Sequence, residues 1–149
     1  MTQDWKDSLA ETPQCVAYNL RKSSRIVSKI YEKEMRPAPI RGPQFSLTIM
    51  IAKRGAVTIS GLAKEIGADR TTLTRNLKQL ERKGIVQIAP GEDSRMKVVS
   101  LKPKGEQAIR ASVKHWKKAQ TKVVSALGEE RWVRMLADLS AVSALARRA

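Results

Sequence analysis

Arg70, Thr71, Thr72, Thr74, Arg75, Asn76 and Lys78 crowd one short stretch of the chain. Their chemistry converges on base edges. An Arg fork bonds both acceptors of guanine, an Asn amide pairs with adenine, and a Thr methyl meets the methyl of thymine. Arg95 and Lys97 follow a run of strong turn formers, Pro90-Gly-Glu-Asp-Ser, and make a second basic group. The bland alternative is a helical hairpin with a solvated polar face. Residue types suited to catalysis are scarce by comparison. His115 and Cys15 are single residues of their kind and stand 100 positions apart, so they form neither a metal cluster nor a triad. Glu92-Asp93 sits in the turn, and Glu129-Glu130 at a helix start. No Gly-rich phosphate loop occurs. The inventory points away from an enzyme, a metal site or a cofactor.

Recognizable elements must hold these residues in place. Asp69 can cap a helix over residues 70–83, with Leu73, Leu77 and Leu80 as its inner stripe and Gly84 as its stop. A short helix over 61–66 precedes it, capped by Ser60 and ended by Gly67. Ala63 is small enough for a close crossing, and Leu62, Ile66, Leu73 and Leu77 can fill the joint. This is helix-turn-helix spacing. The period then changes from 3.6 to 2: residues 85–89 and 97–101 read as a hairpin around the turn. Upstream, Val16, Leu20, Val27, Ile30 and Tyr31 mark a helix over 12–35, ended by Pro37 and Pro39. Pro43 opens a second helix carrying Phe45, Leu47, Met50 and Ile51, closed by Gly55, and Thr58-Ile59 is a short extended piece. Downstream, Pro103 opens a long helix to Leu127. Its seam, Ile109, Val113, Trp116, Gln120, Val123 and Leu127, needs a partner surface. After Gly128, a last helix carries Trp132, Leu136, Leu139, Ser143 and Ala146.

The 149 residues hold 29 Lys or Arg against 14 Asp or Glu, a formal charge of +15, with a pI near 10.5. That length fits one domain, with or without an added dimerisation element. At 42% hydrophobic and 29% charged, the chain is neither disordered nor fibrous. No Asp or Glu occurs from Met35 to Lys64 or from Gln107 to Gly128. The balance suits a polyanion, and the missing aromatic platform argues against RNA. No apolar run or broad apolar outer face suits a membrane. A single Cys and no signal-like start fit the cytoplasm.

The stretch TISGLAKEIGADRTTLTRNLKQLERKGIV, from Thr58, resembles the MarR family of bacterial transcriptional regulators. GEDSRMKVVSLKPKG, from Gly91, resembles that family's wing, with its Asp-x-Arg signature at Asp93 and Arg95. Pro43-Gln-Phe at the second helix and two long C-terminal helices extend the likeness over nearly the whole chain. Lys102 departs from the Thr that often caps the following helix. The resemblance implies a mainly α fold with a small β-hairpin wing: a winged helix-turn-helix domain over 43–102, and a helical dimerisation region over 1–42 and 103–149. It implies a homodimer on double-stranded DNA, reading an inverted repeat. Arg70, Thr71, Thr72, Thr74, Arg75 and Lys78 would face the major groove. Arg95 would enter the minor groove, joined by Lys97, with Asp93 orienting it or a neighbouring basic residue, while Ser60 and Lys64 would touch phosphates.

The family also implies a sensor. A pocket between the dimer helices and the winged domain would draw on Arg25, Tyr31, Phe45, His115 and Trp116, and would suit a small anionic or aromatic effector. Release of a repressor by that effector is the expectation. A redox-responsive regulator is the alternative, because Cys15 lies near the start of the first helix. Alignment with the peroxide-sensing branch puts Ala17, not Cys15, at the reactive position. Of that branch's supporting tyrosines only Tyr31 matches, and Arg21 and Gly42 stand at the others. A non-specific architectural DNA-binding protein is the remaining rival.

Overall fold

The computed structural model describes residues 9–147. A 3₁₀ turn, Leu9–Gln14, leads into α1 (Val16–Met35), then α2 (Pro43–Arg54), β1 (Val57–Thr58), α3 (Ile59–Ile66) and α4 (Arg70–Arg82). Strands β2 (Val86–Pro90) and β3 (Lys97–Leu101) follow, then α5 (Pro103–Leu127), α6 (Glu129–Ser143) and a closing 3₁₀ turn, Ala144–Arg147. Residues 1–8 and 148–149 of the expected dimerisation region lie outside the described residues.

Several boundaries differ from expectation. The first helix starts at Val16, not Thr12. The residue before a proline avoids the α region, and the Cys15 N–H donates to the Thr12 carbonyl at 3.1 Å, closing a tighter turn. Thr58, not Ser60, caps α3: its hydroxyl accepts from the Gly61 N–H at 3.1 Å, leaving Ser60 exposed inside the first turn. Ile59 belongs to that helix, and the extended piece, Val57–Thr58, is a third strand. It pairs with β3 at Val57↔Val99, on the side opposite β2, so the sheet runs β1-β3-β2, all antiparallel. Two residues were too short a run to show alternation.

One core joins the winged region to the bases of α1 and α5. Met35, Ile40, Phe45, Leu47, Ile51, Leu62, Leu73, Leu77, Leu80, Val86 and Val99 are buried in it. The buried face of α5 is made of small residues, Gly105, Ala108, Ser112 and Ala119. Ile109, Val113 and Trp116 of the expected seam flank it, half-buried against the core. Ser112 Oγ donates to the Ala108 carbonyl at 2.7 Å and accepts from the Ile40 N–H, so its burial leaves no orphan. The far end of the molecule is different. No residue described in α6 is buried, and Val133, Leu136, Leu139 and Val142 are exposed there, as are Val16, Tyr18 and Leu20 on α1.

Candidate nucleic-acid interface

Helix α4 is held by its two ends and one stripe. Asp69 adopts extended backbone, and its carboxylate accepts from the Thr71 and Thr72 N–H groups at 2.9 and 3.0 Å. Hydrogen bonds from Thr72, then Thr71, hold that carboxyl below its ordinary pKa. The turn from α3 needs the left-handed backbone of Gly67, at φ 62°, whose N–H satisfies the Ala63 carbonyl. Leu73, Leu77 and Leu80 are at most 1% exposed and lock the rotation of α4 about its axis.

That rotation fixes what faces outward. Arg70, Thr71, Thr74, Arg75, Lys78 and Arg82 line one open groove of about 490 Å³. Thr72, though exposed, is not among them. Thr74 donates its hydroxyl to the Arg70 carbonyl at 2.7 Å, which leaves its methyl as the contact group. Among the described residues, none of Arg70, Arg75, Lys78 or Arg82 has a carboxylate within ion-pair distance. The groove is a row of uncompensated cations with a methyl between them.

The wing ends in a tight polar turn. The Gly91 N–H donates to the Met96 carbonyl at 2.7 Å, and the Met96 N–H to the Asp93 carbonyl at 2.8 Å. Asp93 Oδ1 accepts from the Arg95 backbone N–H at 3.0 Å and lies 3.5 Å from Arg95 Nε. Asp93 therefore steadies both the backbone and the head of Arg95, whose side chain is 91% exposed. Lys97 is exposed at the start of β3, opposite Pro90. Ser60 and Lys64 are exposed on α3. Arg54 pairs with Glu65 at 2.8 Å, tying the end of α2 to α3.

Three of the aromatic-pocket residues come together. Tyr31, Phe45 and Trp116 line a cavity of about 330 Å³ with Val27, Met35 and Ser46. The Phe45 and Trp116 rings are tilted, with centroids 6.3 Å apart. Tyr31 donates to Gln120, and burial raises its phenol pKa. Arg25 and His115 are not on these walls. Arg36 and Arg41 line an adjoining hollow of about 390 Å³, which shares Glu32, Gly42 and Pro43 with the cavity.

The comparisons with known proteins agree with this fold. The family model described as MarR family matches residues 40–97. The crystal structure of the Mycobacterium tuberculosis transcriptional regulator MosR in complex with DNA is 34% identical. It superposes with a TM-score of 0.80, over 90% of this chain and 97% of that one. The chain belongs to the MarR family. An Escherichia coli MarR mutant complexed with operator DNA shares the fold at 20% identity and a TM-score of 0.77, over 85% of this chain and 92% of that one. The HTH-type transcriptional regulator YwoH of Bacillus subtilis is 28% identical over 90 residues, 60% of this chain and 66% of its own length.

This chain is thus a MarR-type transcriptional regulator, and such regulators bind DNA rather than catalyse a reaction. Arg82, which sequence places on the outward faces of this helix but not among the expected DNA contacts, completes the α4 row. One placement escaped sequence reasoning. Arg36 and Arg41 adjoin the cavity, in a proline-rich segment with no helical period to reveal its direction. Cys15 is a free, exposed thiol. Glu34, with its side chain 8% exposed, pairs with Lys118 at 3.5 Å and with Lys122. The Lys122 hydrogen bond, then the charges of both lysines, lower the Glu34 pKa. Part of the basic run on α5 is therefore internal pairing with α1. Among the described residues, no helix is long and apolar enough to cross a membrane.

Proposed function

We propose that this MarR-family chain acts in the cytoplasm as a homodimer that binds an inverted-repeat operator in duplex DNA and represses transcription. The α4 row carries the proposal. Among the described residues its cations have no carboxylate partner, and its Arg and Thr spacing along one face suits base edges in a major groove. Arg95, steadied by Asp93, suits a narrow minor groove. Ser60 and Lys64 supply phosphate contacts. Residues 43–102 form the DNA-binding part. Residues 1–42 and 103–149 form the dimer, supported by the exposed apolar residues of α1 and α6.

A small aromatic anion is the effector this reading favours. The cavity offers Tyr31, Phe45 and Trp116 to a ring, and the adjoining hollow offers Arg36 and Arg41 to a carboxylate. The ligand would shift the dimer away from operator spacing through its differential affinity for the two states. Selection from random duplex DNA, followed by footprinting, tests the core of this. A short protected inverted repeat is expected, and Arg75→Ala should weaken it by about tenfold or more while non-specific binding changes little. Uniform coating of random DNA would establish the architectural rival instead.

A further inference from the structure

The first turn of α2 has two faces. Gly42, Pro43, Phe45 and Ser46 line the aromatic cavity, while Gln44, among them, does not. Gln44 reaches the other way. Its Nε2 donates to Oε1 of Gln79 on α4 at 2.9 Å, and its Oε1 accepts from Nζ of Lys83 at 3.3 Å. Lys83 is the C-cap of α4, so both contacts grip the carboxyl half of that helix. The turn that carries Gln44 is stiff. Pro43 fixes its first helical φ, and the Gln44 carbonyl accepts from the fully buried Thr48 hydroxyl at 2.6 Å. Gly42, at φ 52° and ψ −133°, forms the joint before it, a backbone region open to glycine.

We infer that Gln44 is a positioning residue that couples the state of the aromatic cavity to the orientation of α4. A group pressing on the cavity wall displaces a rigid turn, and Gln44 delivers the displacement to Gln79 and Lys83. The two partners are four residues apart, hence on one face of α4. In the chain Gln79 directly follows Lys78, a member of the row of cations. The consequence for operator binding rests on the function proposed above; the coupling itself does not.

The test fills the cavity from its α1 wall. Ser28 of α1 lines the cavity and is exposed. Ser28→Phe is made in the full-length protein in three backgrounds: native, Gln44→Leu and Gln44→Glu. Leu keeps bulk and removes both hydrogen bonds. Glu keeps the acceptor for Lys83 and can take a donor from a turned Gln79 amide. Amide hydrogen exchange of residues 70–83 is read without DNA. Ser28→Phe should speed exchange there by about fivefold in the native and Glu backgrounds, the scale of one net hydrogen bond, and by under about twofold in the Leu background. A merely structural Gln44 would shift exchange by itself and leave the response to cavity filling unchanged. Equal responses in the Gln and Leu backgrounds, or no response in the native one, would overturn the inference. Gln79→Leu cuts the same bond from the other side should Gln44→Leu fold poorly. Operator affinity is measured separately on the same variants. A chain whose α4 responds but which selects no operator would refute the proposed function and leave the coupling standing.

Discussion

Replacing Gly105 by Ala sets two effects of opposite sign against each other. In an exposed helix the change is favourable by about 0.5–1 kcal/mol, because glycine loses more backbone freedom on folding. Gly105, however, is buried in the first turn of α5, against the chain that enters the wing. An added Cβ would lie 2.3 Å from the Ile85 carbonyl oxygen and 2.6 Å from Leu101 Cδ1. Leu101 can turn aside, but the Ile85 carbonyl cannot move freely. It is backbone, and it accepts the Lys102 N–H at 3.0 Å at the cap of α5. Overpacking of this kind costs about 1–3 kcal/mol, and a weakened hydrogen bond adds about 1 kcal/mol. Less the helix gain, Gly105→Ala should destabilise by about 2 kcal/mol. For a chain of this length that lowers Tm by about 4–8 °C, read by circular dichroism at one fixed protein concentration. An unchanged or raised Tm would refute the reasoning, since helix propensity would then outweigh the contact.

Three further outcomes are expected. Leu77→Ala, at a fully buried position between α4 and the core, should cost about 2–5 kcal/mol in urea unfolding with little change in m. On the proposed function, Lys64→Ala would remove a phosphate contact from each half of a dimer, so the log–log salt slope of operator binding should fall by about 2 units; an unchanged slope would take Lys64 off the backbone. Asp69 has a folded pKa below its ordinary value, so its cap contributes fully above about pH 4. That contribution is lost as pH falls through the depressed value. The stability gap between native protein and Asp69→Asn should therefore narrow on acidification, measured as Tm against pH; a gap that widens in acid would contradict the cap.

What could be read from sequence followed the reach of each signal. Helix α5 was legible from Pro103 to Leu127 because proline, a sustained 3.6 period and Gly128 all act locally. The Asp69 cap was legible for the same reason. Thr58 was missed as a cap because Ser60 is equally suited by type. Only the pairing of Val57–Thr58 with β3, some forty residues away, decides where the strand stops and α3 begins. The buried face of α5 was missed because small residues carry little hydrophobic signal. Gly105, Ala108 and Ser112 are buried by the closeness of the backbone they meet, which no single helix reveals. The cavity was half legible: Tyr31, Phe45 and Trp116 announce themselves as aromatics, but Arg36 and Arg41 lie in an irregular segment whose path depends on the packing of Ile40.

The acids of the winged segment explain how a modest local charge leaves a strongly cationic row. Residues 60–105 hold ten Lys or Arg and five Asp or Glu, a balance of +5 out of the chain's +15. Four of the five acids are committed to other partners. Glu65 pairs with Arg54 of α2. Asp69 accepts the free N–H groups at the start of α4. Glu81 accepts the Ile88 N–H at 3.1 Å, joining α4 to β2. Asp93 holds the turn and Arg95 at the wing. None of these carboxylates is spent on Arg70, Arg75, Lys78 or Arg82. The acids that could have quenched the row instead fix the helix, the hairpin and the wing that present it. On the proposed function, the row left free by these acids would supply specificity, while the remaining +10, spread over α1, α2, α5 and the terminal segments, would supply non-specific attraction to a polyanion.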